Sequence, residues 1–267
     1  MKYKLVIADF DGTLGNVPDY VHPDTIKAIK EYQSKGGIFA IITGRSHSSI
    51  SEISEKYGFN CVVASFQGSR ITDLNTGKTL VDVGIDPSRA TEILLDLKKL
   101  GFPLSFWSND TLYYEQENQY TDMYEKKLSG KRFAKIDDFS NVKKQIEFPI
   151  SKINLLEHPE NVDKTAKMLQ ARYGNDVIVN SGAKSLIEII DAKYSKGYAV
   201  KKIAEYYGID LKEVLTVGDS TNDLQLIEGE WHGVAVGDAK EELKKVAKEI
   251  TVPYSQNPVK VLIEKYS

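Results

Sequence analysis

The chain has 267 residues, of which 41% are hydrophobic and 27% charged, and its formal net charge is -3. This length predicts one large or two medium domains, each with an apolar core. The charge balance argues against nucleic acid as a main partner. No apolar run approaches the length of a signal peptide or membrane span, so we expect a cytoplasmic protein without a membrane partner. A single cysteine, Cys61, excludes an intramolecular disulfide and a multi-thiolate metal site.

The first part of the chain alternates between strand and helix patterns. Apolar runs at 5–8, 38–42 and 61–65 predict buried strands, and the segments 24–36 and 48–57 between them have helical periodicity. Two short strands, at 70–73 and 80–83, follow as a hairpin. This βαβαβ order predicts right-handed crossovers and a doubly wound parallel sheet.

The middle of the chain has a different pattern. It predicts an α+β module with an antiparallel sheet, built from helices at 88–100 and 161–173 and strands at 103–107, 111–116, 150–156, 177–179 and 186–190. The polar, tyrosine-rich stretch before residue 150 predicts no element. Trp107, Tyr113 and Tyr114 either line a lid over a pocket or belong to the core of this module.

The last part returns to the alternating pattern. It predicts strands at 214–217 and 234–236 and helices at 193–207, 224–228 and 240–248. We therefore predict an α/β protein in which residues 1–83 and 191–267 form one domain around the doubly wound sheet. Residues 84–190 are then an inserted α+β module.

Polar side chains follow three of the predicted buried strands. Asp9 and Asp11 follow the first strand, Thr43 the second, and Asp219 and Asp223 the strand at 214–217. Ligands of open α/β sheets bind beyond the carboxyl ends of the strands, so these side chains form one pocket if the strands are neighbours. Asp9 and Asp11 point the same way if their strand continues past Asp9. The alternative is that both are turn or N-cap residues, where Asp is common.

Such a pocket suits a hard cation, because its ligands are all oxygen atoms. We expect Mg²⁺ before Ca²⁺, with Asp9 and Asp219 as the most direct ligands. Asp223 either reaches the metal through water or simply occupies the first turn of its helix, where acidic groups are favoured.

The same pocket is able to take a dianionic phosphate. Thr43, Lys196 and the backbone N–H groups around Asp11 and Gly12 are the candidate partners. Lys196 stands at the start of a helix, and a solvated surface lysine is the alternative for it. Arg45 either touches phosphate or pairs with a carboxylate.

A carboxylate in a site neutralised by cations is able to attack phosphorus. We expect Asp9 to form an aspartyl-phosphate and Asp11 to protonate the leaving oxygen and then deprotonate the attacking water. Acid–base help supplies roughly 10²–10⁴-fold, so the metal, Lys196 and the covalent route must supply most of the acceleration.

These residues resemble the four ordered motifs of the haloacid dehalogenase superfamily, and the long insert resembles the α/β cap of its Cof-type phosphatases. The matching segments are Asp9–Leu14, Thr43–Arg45, Lys196–Gly197 and Gly218–Asp223.

The resemblance implies a Rossmann-like core formed by residues 1–83 and 191–267, with residues 84–190 as an inserted α+β cap domain for substrate specificity. It also implies Mg²⁺ dependence, Asp9 as nucleophile and Asp11 as acid and base. It implies metal ligation by Asp9, the main-chain carbonyl of Asp11 and Asp219, to which we add Asp223. The phosphate contacts that it implies are Thr43 and Lys196, and we add Gly44, Arg45 and Asn222 from the matching motifs. Gln67 departs from the family pattern, which usually has asparagine there, and this leaves any substrate contact at that turn open.

The expected function is Mg²⁺-dependent hydrolysis of a small phosphorylated metabolite, such as a sugar phosphate or a phosphorylated cofactor. One alternative is a phosphotransferase or mutase that passes the phosphoryl group to a sugar hydroxyl. Another is a catalytically idle binding protein that keeps the fold. We expect a monomer or a weak homodimer.

Overall fold

A computed structural model of the chain describes residues 1–16, 19–59, 61–128, 132–181 and 185–267. The chain divides into two compact units. Unit 1 consists of residues 1–81 and 195–267, and unit 2 consists of residues 82–194. Within the described ranges, no helix has both the length and the apolar character that a membrane crossing requires.

The elements follow one another along the chain in three groups. The first group is β1 (Leu5–Asp9), α1 (Pro23–Ser34), β2 (Ile38–Ile42), α2 (His47–Tyr57), β3 (Val62–Ser65), β4 (Arg70–Asp73) and β5 (Lys78–Asp82). The middle group is α3 (Pro87–Lys99), β6 (Leu104–Ser108), β7 (Thr111–Tyr114), α4 (Gln119–Leu128), β8 (Phe133–Lys135), α5 (Val142–Gln145), β9 (Ile150–Leu156), α6 (Val162–Tyr173), β10 (Val177–Ser181) and β11 (Leu186–Asp191). The last group is α7 (Lys196–Tyr207), β12 (Val214–Gly218), α8 (Leu224–Ile227), β13 (His232–Ala235), α9 (Glu241–Val246), β14 (Glu249–Ile250) and α10 (Pro258–Tyr266).

Unit 1 contains an eight-stranded sheet in the order β14-β13-β12-β1-β2-β3-β4-β5. The strands from β14 to β3 are parallel, β4 is antiparallel to β3, and β5 lies beside β4 at the edge of the sheet. Strand β1 lies between β2 and β12, so the three strands that precede the predicted site residues are neighbours. Their registers place Asp9 level with Ile42 and Ala8 level with Val217.

Strand β1 is fully buried, as expected for a central strand with both faces covered. It ends at Asp9 rather than continuing. The N–H of Leu14 bonds to the carbonyl of Asp9, and that of Gly15 to the carbonyl of Phe10, so the chain turns back within a few residues. This tight turn gives Asp9 and Asp11 different neighbours.

Helix α7 begins at Lys196, three residues later than the pattern predicts. Ser195 has extended backbone angles, and its hydroxyl accepts a hydrogen bond from the N–H of Tyr198 at 3.3 Å. Such an N-cap starts the helix at the following residue. Lys196 is therefore the first helical residue of α7.

Unit 2 contains a six-stranded sheet in the order β10-β11-β9-β6-β7-β8. All neighbours in it pair antiparallel except β7 and β8, which are parallel. Trp107 and Tyr114 are buried, and Tyr113 stacks on Phe106 with ring centroids 5.1 Å apart. The three aromatic residues therefore pack within this unit.

The tyrosine-rich stretch contains three elements that the sequence pattern does not predict, namely α4, β8 and α5. Asn118 caps the first of them, because its side-chain oxygen accepts hydrogen bonds from the N–H groups of Tyr120 and Thr121. One side of α4 carries Tyr120 and Tyr124, whose ring centroids are 4.5 Å apart. A polar aromatic face of this kind hides the usual helical periodicity.

Candidate active site

Lys196 joins two buried carboxylates at the carboxyl end of the sheet in unit 1. Its Nζ donates hydrogen bonds to Oδ1 of Asp9 and to Oδ1 of Asp223, each at 2.6 Å. The lysine is only 2% exposed, and both aspartates are buried. This burial rules out the alternative of a solvated surface lysine.

Asp223 also fixes the loop that follows β12. Its Oδ2 accepts hydrogen bonds from the N–H groups of Asp219 and Ser220, each at 3.1 Å. Both carboxylate oxygens of Asp223 are thus engaged by the protein itself. The residue positions the ammonium group of Lys196 and the backbone of Asp219 at the same time.

Asp219 lies against the turn that follows β1. Thr13 donates a hydrogen bond from its hydroxyl to Oδ1 of Asp219 at 3.2 Å. Gly12 has φ = +83°, and a Cβ atom there would lie 2.6 Å from Oδ2 of Asp219. Glycine is therefore required by both the backbone angle and the close approach. Thr13 lies within the matched segment Asp9–Leu14, but the sequence pattern gives its hydroxyl no role of its own.

Negative charge exceeds positive charge in this cluster. Asp9, Asp219 and Asp223 each offer an oxygen, and these three atoms lie within 4.8 Å of one another, with the ammonium of Lys196 between two of the residues. Burial and the charge of Asp223 raise the pKa of Asp9 well above its usual value, although Lys196 opposes the shift. Burial, followed by the charge of Asp223, raises the pKa of Asp219 to about 6.

Raised carboxylate pKa values mean that the ionised forms lack sufficient positive partners. An all-oxygen donor set with excess negative charge fits a hard divalent cation such as Mg²⁺. Asp9 and Asp219 are the members of the cluster best suited to hold it, since Asp223 is already occupied by Lys196 and two backbone N–H groups.

Thr43 and Gly44 form the loop after β2, next to Asp9. Thr43 is buried, and its hydroxyl accepts a hydrogen bond from the N–H of Arg45 at 3.2 Å. A Cβ atom on Gly44 would lie 2.5 Å from Nε2 of Gln67, so the glutamine side chain packs closely on this loop. The N–H of Gln67 also donates to the carbonyl of Thr43 at 2.9 Å.

Arg45 pairs with carboxylates. Its Nε and Nη2 donate to the two oxygens of Asp11 at 2.8 and 2.7 Å, and its Nη1 donates to Asp19. Of the two interpretations that the sequence left open, this arrangement corresponds to the ion pair. The contact with Asp19 is not predicted from the sequence, since nothing in the 25 residues between Asp19 and Arg45 signals it.

The structure thus brings Asp9, Asp219, Asp223 and Lys196 together at the ends of neighbouring strands. The carboxylate of Asp11 lies outside this acidic cluster and forms a separate group with Arg45. The remaining predicted site residue, Asn222, accepts a hydrogen bond from the hydroxyl of Ser220.

Cys61 is buried beside Ser54. Burial raises the pKa of its thiol to about 12, so the thiolate form is scarce at neutral pH. It is a core residue rather than a reactive one.

Comparison with known proteins places the chain in a family. The sequence model of the haloacid dehalogenase-like hydrolases matches residues 6–263. The chain belongs to this family. It is similar to phosphatase YwpJ of Bacillus subtilis, with 29% identity over 96% of this chain and 97% of that protein. A solved structure of a haloacid dehalogenase-like hydrolase from B. subtilis has 27% identity and a TM-score of 0.84, covering 98% of this chain and 99% of the other.

A further relative is the 5-amino-6-(5-phospho-D-ribitylamino)uracil phosphatase YwtE of B. subtilis, with 24% identity over 98% of this chain and 97% of that protein. The family that the sequence motifs predict and the α/β fold class are both confirmed, and so is the prediction of a hydrolase.

Proposed function

We propose that this haloacid dehalogenase-like hydrolase is an Mg²⁺-dependent phosphatase that hydrolyses small phosphorylated metabolites through a phosphorylated Asp9. The observation that carries the proposal is the buried arrangement of Asp9, Lys196 and Asp223 beside Asp219. A purely structural role does not call for two buried carboxylates on one ammonium group with a third carboxylate beside them, because buried charges are costly unless they are matched.

In the first step, Asp9 attacks phosphorus. Its Oδ1 is hydrogen-bonded to Lys196, so we assign the attack to Oδ2. A bond forms between Oδ2 and phosphorus while the bond from phosphorus to the leaving oxygen breaks. Asp11 gives a proton to that oxygen, and the product leaves as an alcohol.

In the second step, water attacks the phosphorus of the phosphorylated Asp9. Asp11, now ionised, takes a proton from the water as the new bond to phosphorus forms and the bond to Oδ2 breaks. Inorganic phosphate leaves, and both aspartates return to their starting states. Lys196 offsets negative charge at Asp9 in both steps, and Thr43, Gly44 and Asn222 are the proposed phosphate contacts.

The proposed metal ligands are Asp9, Asp219 and the main-chain carbonyl of Asp11. Asp223 supports them through its hydrogen bonds with Lys196 and with the N–H of Asp219. When bound there, Mg²⁺ supplies positive charge that favours ionised Asp9 and offsets the charge of the phosphoryl group. The raised pKa values of Asp9 and Asp219 support this assignment, since a cation relieves the same excess negative charge that raises them.

The substrate class is a small phosphate ester. Unit 1 carries all of the proposed phosphate chemistry, and we assign the choice of leaving group to unit 2 as a substrate-specificity cap. The name of the relative YwtE, a phosphatase of a phosphoribityl compound, supports phosphorylated sugars and sugar-like cofactor precursors as the first compounds to test.

The test is phosphate release from a panel of phosphorylated metabolites, with Mg²⁺ and with excess EDTA. We expect turnover only with Mg²⁺. Asp9→Asn keeps the size of the side chain but removes the nucleophile. We expect it to lose more than the roughly 10²–10⁴-fold that acid–base catalysis alone supplies.

Asp24→Asn is the matched control, because Asp24 is an exposed residue of α1 in the same unit. It should keep the turnover of the unaltered protein. Circular dichroism should show that both variants are folded. Retention of more than a few per cent of activity in Asp9→Asn would refute Asp9 as the nucleophile, and lack of turnover across the panel would count against the phosphatase proposal.

A further inference from the structure

We infer that Arg45 is a positioning residue that holds the ionised carboxylate of Asp11 in one orientation and thereby sets the efficiency with which that carboxylate takes a proton from the attacking water. The inference rests on the proposed function, in which Asp11 is the acid and base. It replaces the sequence-based expectation that Arg45 contacts the substrate phosphate.

The contact between the two side chains has the strongest geometry available to an arginine. Nε and Nη2 of Arg45 each donate to a different oxygen of Asp11, at 2.8 and 2.7 Å. Parallel hydrogen bonds of this kind fix both the distance and the plane of a carboxylate. A single contact would leave Asp11 free to rotate, whereas this pair does not.

Arg45 is itself held from three sides. Its Nη1 donates to Asp19, and its guanidinium carbon lies 4.6 Å from the centre of the Phe10 ring. Its carbonyl accepts a hydrogen bond from the N–H of Phe66 at 2.9 Å. The carbonyl of Asp19 is anchored in turn by the hydroxyl of Tyr57 at 2.7 Å. The guanidinium group is thus fixed before any substrate arrives.

Exposure differs sharply between the two partners. The side chain of Arg45 is 13% exposed, and that of Asp11 is 47% exposed. An exposed carboxylate on a turn loses conformational freedom when it must adopt one geometry for proton transfer. The less exposed arginine imposes that geometry in advance. Each of the three kinds of guanidinium nitrogen already donates to a carboxylate, which leaves the group poorly placed to bind phosphate as well.

Formation and hydrolysis of phosphorylated Asp9 depend on Asp11 to different degrees when the substrate has a leaving group that needs no proton. The nitrophenolate group of para-nitrophenyl phosphate leaves without a proton, so formation of phosphorylated Asp9 from this ester needs little help from an acid. Attack by water on the phosphorylated enzyme still needs a base. Loss of Arg45 should therefore slow the second step selectively.

The experiment measures both steps by rapid quench with radiolabelled para-nitrophenyl phosphate and Mg²⁺. In Arg45→Ala we expect the rate constant for hydrolysis of the phosphorylated enzyme to fall by about 10-fold or more, a part of the roughly 10²–10⁴-fold that the base supplies. The rate constant for its formation should stay within about threefold, so that phosphorylated Asp9 accumulates. Asp11→Asn should show the same pattern in stronger form.

Arg172→Ala is the matched control. Arg172 makes a similar paired contact with Asp96, both hydrogen bonds being 2.6 Å long, but it lies in unit 2. Both rate constants should be unchanged in this variant. Arg45→Lys keeps the positive charge and loses the planar fork, so it should accumulate phosphorylated enzyme even where Arg45→Ala is poorly folded.

The possible outcomes distinguish a failure of the role inferred for Arg45 from a failure of the proposed phosphatase mechanism. Slower formation of phosphorylated Asp9 together with a raised KM would show that Arg45 binds phosphate, and would overturn the inference alone. Normal hydrolysis in Arg45→Lys would do the same, because charge would then suffice. If the unaltered enzyme releases nitrophenol without any phosphorylated Asp9, the proposed mechanism fails and the inference fails with it.

Discussion

At the scale of single residues, the charge balance of the site depends on Lys196. This one ammonium group contacts two buried aspartates, and a third carboxylate lies close by. Burial alone would lower the pKa of Lys196, but the charges of Asp223 and Asp9 outweigh it and raise the pKa above its usual value. Lys196 therefore stays charged, and its removal leaves two buried carboxylates unmatched.

Lys196→Met should lower the free energy of unfolding by about 3–5 kcal/mol, the usual cost of removing one partner of a buried ion pair. Urea denaturation at neutral pH without metal measures this loss. Lys202→Met, on the exposed side of the same helix, is the control and should leave the denaturation midpoint unchanged.

A double substitution tests the electrostatic origin of that loss. If unmatched charge is the cause, the double variant Lys196→Met with Asp9→Asn should be more stable than Lys196→Met alone. A neutral amide then replaces one of the two buried carboxylates that have lost their ammonium partner. A double variant no more stable than Lys196→Met would indicate that the lost packing of the lysine stem matters more.

The sequence predicts part of this residue-scale arrangement. Asp9, Thr43 and Asp219 each follow an apolar run, and parallel strands that are neighbours bring their ends together. No comparable rule of sheet topology predicts the contact of Arg45 with Asp19. It depends on the path of the turn after β1, where Asp19 has φ = +65°, and local sequence does not specify that path.

At the scale of elements, Glu249 ties the last strands of the sheet to the final helix. It lies on β14 and contacts Lys265 and Tyr266 of α10 at 2.8 and 2.5 Å. Its Oε2 also lies 2.9 Å from Nε2 of His232 on β13. Burial tends to raise the pKa of Glu249, but the hydrogen bonds from Lys265, Tyr266 and His232 outweigh it and lower the pKa to about 2.

This lowered pKa predicts how stability depends on pH. Between the ordinary value of 4.5 and about 2, the unfolded chain binds more protons at Glu249 than the folded chain does. The stabilisation is therefore complete above the ordinary value and is lost as the pH falls toward about 2. Glu249→Gln removes it. The difference in unfolding free energy between the two proteins should be largest near neutral pH and should shrink on acidification, as urea titrations at several pH values would show. A difference that does not change with pH would contradict the assignment.

Helices and strands are predicted correctly where apolar residues form a clear periodic pattern. They are missed or misplaced where polar aromatic residues or a single capping side chain determine the element. The strands at 38–42 and 150–156 are predicted with the bounds that the structure has, because each is a continuous or alternating apolar run. Helix α4 is missed because its buried side chains, among those that the structure describes, are Tyr120 and Thr121 rather than aliphatic residues. Its start also depends on the local hydrogen bonds of Asn118. The start of α7 is misplaced for a similar reason, since a single serine hydroxyl decides it.

At the scale of the whole molecule, each unit has an apolar core of its own. The core of unit 1 includes buried residues of β1, β2, β12 and α7, and the core of unit 2 includes buried residues of α3, β6, β9 and α6. Separate cores allow separate opening, because the stability of a region follows the contacts made within it. The division into units at residues 81 and 195 should therefore be visible in the dynamics of the chain.

Hydrogen exchange measured by mass spectrometry tests this with two paired variants. Leu97 of α3 and Ile203 of α7 are fully buried in different cores, and truncation of either to alanine should cost about 2–5 kcal/mol in its own unit. Leu97→Ala should speed exchange in residues 82–194 and leave the protection of β1, β2 and β12 unchanged. Ile203→Ala should produce the reverse pattern. A uniform loss of protection across both units in either variant would mean that the chain opens as a single cooperative body, and that two cores are not enough to make two folding units.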